Sequence, residues 1–311
     1  MGLGQGAGGD HMSLDAAAAF DAYEAVRHRL PDAPAPGAAP ERVETLADIA
    51  DRYDAFLLDA FGVLNIGETA IPGTVERVAD LRAAGKRVVV VSNAAGFPHA
   101  ALMEKYARLG YDFAPEDVIT SRKTLLGGLN GETGLRWGLM ATRSTGLRDL
   151  EGLDVVYLEE DPEAYRAVDG FLLVGSAAWT EDRQALLEAA LAERPRPVRV
   201  GNPDIVAPRE RGFSVEPGHY AHRLADATGV EPVFYGKPFA DIFDLAFARL
   251  PGVARDRAVM VGDSLHTDIL GAQAAGVASA LIRDYGFFAG QDVDAAIARA
   301  GIAPTYVVVR P

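Results

Sequence analysis

The sequence predicts an α/β protein: a doubly wound parallel sheet with an α+β domain inserted into it. Three observations carry this. Apolar segments of strand length, FLLDAF, KRVVVVSNA and AVMVGD among them, alternate with helix-length segments. Glycines close the helices after the first two of these strands, at Gly85 and Gly110. The middle, about 134–232, breaks the rhythm with its own strands and helices, so a whole unit sits between two halves of one sheet. The expected division is a leader, helix and linker (1–40), a core (41–133 and 233–311) and the inserted domain (134–232).

Residues 1–11 form a glycine-rich leader. Its G-x-G-x-x-G at Gly4, Gly6 and Gly9 has no strand before it and so lacks the context of a dinucleotide site. SLDAAAAFDAYEAVRHRL (13–30) reads as a helix with Ser13 at its N-cap. Two roles are open to it: packing on the core, or pairing two copies in a homodimer. PDAPAPGAAP (31–40) is a Pro/Ala linker and ERVETLADIADRY (41–53) a second amphipathic helix. The core then runs strand FLLDAF, helix TVERVADLRAAG, strand KRVVVVSNA, helix HAALMEKYARLG, short strand VIT and helix SRKTLLGGL. The inserted domain offers strands WGLMA, DVVYL, GFLLVG and VRVGN and helices TEDRQALLEAALAE and GHYAHRLADATG. The core resumes with strand AVMVGD, helix SLHTDILGAQAAG and strand ASALIRD. The insertion would cover the sheet's C-terminal edge, where α/β proteins bind ligands.

A chain of 311 residues, 49% hydrophobic and 24% charged, is long enough for two cored domains. No apolar run reaches the roughly 18 residues of a membrane span. No basic segment followed by an apolar one opens the chain, so the cytoplasm is the expected compartment. The absence of cysteine excludes disulfides, thiolate metal sites and cysteine nucleophiles. A net charge of −14, from 30 basic and 44 acidic residues, argues against nucleic acid and anionic lipid as partners. An anionic small substrate would need local help from a metal ion or from backbone N–H groups.

Four strand ends present polar groups: Asp59, Ser92 with Asn93, Lys237 in FYGKP, and Asp263 with Asp268 one turn on. In a parallel sheet these ends face one crevice. Singly, each has a plain alternative as a helix cap or a solvated lysine. Together they form a set with a physical logic. Asp59 and Asp263 offer the hard oxygen ligands that Mg²⁺ prefers, and Asp268 a further ligand or an orienting acid. Lys237 would offset charge on a nucleophilic carboxylate and on a phosphoryl oxygen. Ser92 and nearby N–H groups would hold the other oxygens, and Asp59 would attack phosphorus. G-D-S-L at 262–265 matches the opening of a lipase-type serine hydrolase, but that chemistry needs a histidine well downstream and the last one is His266.

With these motifs the chain resembles the haloacid dehalogenase superfamily, subfamily IIA, the NagD-like sugar and nucleotide phosphatases. The motifs are DAFGVL (59–64), VSN (91–93), GKP (236–238) and GDSLHTD (262–268), with a cap-like GNPDIVAP (201–208) before EPGHYAHRLADATG (216–229). The resemblance covers about 44–285. It implies a Rossmann-like core, a C2-type cap and Mg²⁺-dependent hydrolysis of a small phosphorylated metabolite through an aspartyl phosphate. It makes Asp59 and Lys237 catalytic. Asp59, the Phe61 backbone carbonyl and Asp263 become metal ligands, with Asp268 behind them, and Ser92, Asn93 and Asn202 contact substrate.

The first motif departs from the family's D-x-D. Its second aspartate, which protonates the leaving alcohol and then activates water, is Phe61 here. Such acid–base help is worth roughly 10²–10⁴ in rate. Three readings follow. The enzyme takes esters whose leaving group needs no proton, or recruits another acid, with Glu68 and His219 as candidates. Alternatively, DAFGVL resembles the DAYGTL of 2-haloacid dehalogenases, which displace halide without a metal. Or the chain binds a phosphorylated ligand without turnover. The motif looks closest to a subfamily IIA branch reading D-x-[WF]-G-V-L. Candidate specificity residues in cap loops are Asn202, Asp204, Arg209, Arg211, His219 and Tyr220, with Asn202 and Asp204 alternatively shaping the loop. Arg122 and Lys123 are candidates for the entrance.

Overall fold

The computed structural model describes residues 15–32, 38–132, 134–209 and 212–311. Its larger sheet has seven strands in the order Glu41–Val43, Tyr306–Val308, Ala278–Ile282, Ala258–Gly262, Ala55–Leu58, Arg87–Ser92, Val118–Thr120. Every pairing is parallel. The strands read as unbroken apolar runs because both faces are covered. Phe56 and Leu58 join one core cluster with Val88 and Val90. Ala55 and Leu57 join another, on the opposite face, with Val89, Val91 and Met260. From Ala55–Leu58 the chain winds one way to Arg87–Ser92 and Val118–Thr120, and later the other way from Ala258–Gly262. The point where the winding reverses lies between Ala55–Leu58 and Ala258–Gly262, which is where such sheets open a ligand crevice at their C-terminal ends.

A second, five-stranded sheet is inserted between Val118–Thr120 and Ala258–Gly262, in the order Val233–Phe234, Val198–Val200, Gly170–Leu173, Arg136–Met140, Asp154–Tyr157. All its pairings are parallel too. Expected as α+β from its mix of elements, this unit adds, among the described residues, one antiparallel hairpin, Val206–Pro208 with Phe213–Val215. Its core gathers Phe171, Leu173, Leu187, Val198 and Leu224.

Three elements differ from the sequence reading. Residues 41–53 are not one helix. Glu41–Val43 forms an edge strand on Tyr306–Val308, and Thr45 then caps a 3₁₀ helix, Leu46–Arg52, through a reciprocal box with Asp48. The segment 264–276 opens with a π-helical turn, Leu265–Ile269, before the α-turns of Leu270–Ala274. The N-terminal helix spans Ala16–Ala25 and is capped by the Asp15 side chain, which accepts the Ala18 N–H at 2.8 Å. The Ser13 cap and the Gly4–Gly9 motif lie outside the described residues. Of the two roles open to this helix, packing is seen. Ala19, Phe20, Tyr23 and Val26 cluster with Leu265, Ile269 and Phe287 of the larger unit and with Ile205 and Val206 of the inserted one. No helix among the described residues is long and apolar enough to cross a membrane.

His222, on the helix Pro217–Thr228, is buried and stacked on Phe234 at 4.8 Å between ring centres. Burial, helped by Arg29 and His28 and opposed by Asp226, pushes its pKa down from 6.5 to about 4. The unfolded chain therefore binds the extra proton first, and stability declines as pH falls from 6.5 towards 4, by up to about 3 kcal/mol. Denaturant unfolding across this range is expected to show that slope, and His222→Leu to flatten it.

Candidate active site

The crevice begins with Asp59. Strand Ala55–Leu58 is fully buried, so the first residue past its end is held by the ladder. The Asp59 N–H donates to the Val261 carbonyl at 2.9 Å, which fixes the acid beside the end of Ala258–Gly262. That neighbouring strand delivers Asp263. Oxygens of Asp59, Asp263 and Asp268 come within 4.8 Å of one another. Lys237 reaches them from the loop after Val233–Phe234, an edge strand of the inserted sheet rather than of the larger sheet to which the sequence assigned residues 233 onward, because Val198–Val200 leaves an edge open for it. Its Nζ stands 2.6 Å from Asp59 and 2.7 Å from Asp268, and its side chain is 2% exposed.

Charge governs this cluster. Three carboxylates face one ammonium. Burial drives the Asp59 pKa up to about 6, with Lys237 opposing and Asp268 reinforcing the rise. Burial also raises the pKa of Asp263 above its ordinary value, reinforced by Asp268 and Asp59. Burial alone would lower Lys237, but Asp268 and Asp59 outweigh it and raise it. Asp268 is already spent: Oδ1 faces Lys237 and Oδ2 accepts the N–H groups of Asp263 and Ser264 at 3.0 and 3.1 Å. Asp263 Oδ2 accepts the Phe287 N–H at 2.7 Å. Asp59 Oδ2 and Asp263 Oδ1 have no side-chain partner among the described residues. Surplus buried negative charge and free carboxylate oxygens fit a hard divalent cation. Gly62 and Gly286 both have positive φ, +76° and +73°, and a Cβ on either would overlap the Asp263 carboxylate, so the backbone closes on this acid from two sides.

The cluster lies in a cavity of about 1200 Å³ between the two sheets, whose walls include Ser92, Phe61, Asn202, Asp204 and Tyr23. Ser92 and Asn93 are buried at the end of Arg87–Ser92. Asn93 is a brace: Nδ2 donates to Asp204 Oδ1 at 2.8 Å and to the Lys237 carbonyl at 2.9 Å, and Oδ1 accepts the Lys237 N–H at 2.8 Å. Asn202 is equally committed, to Glu216 and to the Asp204 N–H. The Phe61 ring sits between two cations, with Lys105 Nζ 4.9 Å and the Arg209 guanidinium 5.4 Å from its centre.

Other candidates stand elsewhere. Arg122 and Lys123 do not line the cavity. Arg122 is buried and donates to the carbonyls of Ala95 and Arg148, while Lys123 donates to those of Pro115 and Val118. His219 is not on the cavity wall either and packs edge-on against Tyr220, which is. Glu68 stands at the rim, paired with Lys105 at 3.0 Å. Arg211 lies outside the described residues. His266 turns away from Ser264 to stack on Tyr23 and bond Glu24, so no serine–histidine pair forms. Sequence reasoning missed Tyr23, whose hydroxyl accepts the Ile205 N–H at 3.1 Å. A tyrosine on an apolar helix face carries no signal for a site built 182 residues away.

The family model described as haloacid dehalogenase-like hydrolase matches residues 56–144, and a second, described as HAD-hydrolase-like, matches 234–310. The D-glycerol 3-phosphate phosphatase of Mycobacterium tuberculosis is 31% identical over 247 residues, 76% of this chain; the match spans 65% of that relative's length, under two thirds. A dihydroxyacetone phosphatase of Corynebacterium glutamicum is 26% identical over 267 residues, 82% of this chain and 88% of its own. The crystal structure of the M. tuberculosis glycerol phosphate phosphatase in complex with magnesium superposes with a TM-score of 0.62 at 28% identity, over 76% of this chain and 70% of that one. Both halves of the interrupted sheet thus match one family, and the chain belongs to the haloacid dehalogenase superfamily, in its NagD-like subfamily IIA.

Proposed function

We propose that this protein is a divalent-metal-dependent phosphohydrolase acting on a small phosphorylated metabolite through an aspartyl phosphate on Asp59. The carrying observation is the placement of Asp59 at a buried strand end, 2.6 Å from Lys237 and beside Asp263. Asp59 would be the nucleophile, aimed by the strand. Lys237 holds it ionised and offsets charge on the phosphoryl oxygens. Ser92 supplies a hydroxyl to those oxygens. Asp59, Asp263 and the Phe61 carbonyl would hold Mg²⁺, which when bound neutralises the phosphate and the surplus of carboxylates. Asp268 orients Lys237 and the Asp263 loop. The unit 134–232 serves as the cap that excludes water and selects substrate. The relatives' names point to three-carbon phosphates as the first class to try.

Phosphate release from 4-nitrophenyl phosphate and glycerol 3-phosphate is expected with Mg²⁺, to disappear with EDTA, and to return on adding Mg²⁺ back. Halide release from a 2-haloacid without metal would replace this reading. Phosphate binding with no turnover of any ester would favour ligand binding alone, the role suggested by Phe61 standing where the family has its acid.

A further inference from the structure

The phosphatase reading leaves a gap: Phe61 stands where the family has the acid that protonates the leaving oxygen. We infer that Asp204, reaching in from the inserted unit, is the general acid and base of this enzyme. The inference rests on the phosphatase reading and deepens it.

Asp204 is on the cavity wall with Asp59, Phe61 and Lys237. It is held at three points. Its N–H donates to Asn202 Oδ1 at 3.0 Å, its carbonyl accepts the Gly218 N–H at 3.0 Å, and its Oδ1 accepts Asn93 Nδ2 at 2.8 Å. Asn93 in turn grips the Lys237 backbone on both sides, and the Lys237 ammonium touches Asp59. One braced network thus fixes the cap carboxyl relative to the nucleophile. Its Oδ2 has no hydrogen-bond partner among the described residues, and this oxygen carries the transferable proton. The charged groups acting on it are Lys237, which favours ionisation, and Asp59 and Asp268, which oppose it; the Tyr23 hydroxyl also stands near. Burial dominates and pushes Asp204 up to about 8, so it is protonated at neutral pH, as an acid must be.

Asp59 and Asp263 are taken by the nucleophile and metal roles, and none of the remaining cavity carboxyls meets these conditions. Glu216 has both oxygens engaged, by Asn202, Arg209 and Ser214. Glu68 is paired at the rim, and Glu104, Glu181 and Asp182 are exposed.

The step balances. An Asp59 oxygen forms a bond to phosphorus as the bond from phosphorus to the ester oxygen breaks. The leaving oxygen takes that electron pair and the Asp204 proton, and departs as an alcohol. A water then attacks the aspartyl phosphate, giving its proton to the Asp204 carboxylate. The bond from phosphorus to Asp59 breaks, its electrons returning to the Asp59 carboxylate.

The test compares Asp204→Asn with the natural enzyme on 4-nitrophenyl phosphate, whose leaving group needs no proton, and on glycerol 3-phosphate, whose leaving group does. Asparagine keeps the acceptor for Asn93. The expected result is an alkyl-to-aryl ratio of kcat/KM, which reports events up to departure of the leaving group and not the water attack common to both substrates, lowered by about 10²-fold or more. An unchanged ratio, with both substrates slowed alike, would overturn the role and leave the phosphatase reading standing. Absence of aryl turnover in the natural enzyme would remove the phosphatase reading and this role with it. Should the variant not fold, the natural enzyme still decides. Alkyl kcat/KM is expected to fall above about pH 8 while aryl kcat/KM does not, and parallel profiles would overturn the proposal.

Discussion

Asp59→Asn is expected to lower aryl phosphate turnover by about 10⁴-fold or more, because losing a nucleophile removes every step that depends on it. Stability is expected to hold or rise. The substitution takes one of three carboxylates away from a buried site with a single ammonium. Phosphate release and thermal unfolding on the same sample separate the two effects. A loss of less than tenfold would mean that another group attacks phosphorus.

Lys237→Ala should act on both folding and turnover. The side chain is 2% exposed and joins Asp59 to Asp268. Its removal leaves two buried carboxylates facing each other and Asp263 with no cation. Breaking one partner out of a buried ion pair costs about 3–5 kcal/mol. The pH dependence has a definite sign. In the variant the folded-state pKa values of Asp59 and Asp263, already raised, lie further above their unfolded values, so the native state binds more protons, and stability is recovered as pH falls through them. Denaturant unfolding at pH 7 and pH 5 checks this. Mg²⁺ is expected to restore part of the loss at pH 7. A variant as stable as the natural protein at pH 7 would mean that the carboxylates are already protonated there.

Much of the core was legible because each strand carries its own information. FLL and VVVV are apolar enough to be buried on both faces, and an acid directly after such a run has few places to go but the sheet's rim. Asp59, Lys237, Asp263 and Asp268 therefore came together as expected. What failed was set by distant partners. Glu41–Val43 is a strand only because Tyr306–Val308 leaves an edge for it, and nothing within 41–53 announces that. Arg122 follows a core strand as an entrance residue should, yet the carbonyls of Ala95 and Arg148 draw its guanidinium inward. Asn202 and Asp204 were recognisable as a pair, but only their bonds to Glu216 and Asn93 show that one is bound up in shaping the loop and the other keeps a free oxygen.

The N-terminal helix has a mechanical meaning beyond its packing. It touches Leu265 and Phe287 below, Ile205 and Val206 above, and just past its end Arg29 pairs with Asp226 at 2.7 Å in the inserted unit. A hinge between the two units would ordinarily need only its connecting strands to bend. Here a latch spans the joint, and parting the units requires the helix to let go of one side. Any parting of the two units that admits a ligand must therefore also break this short helix's contacts with one of them.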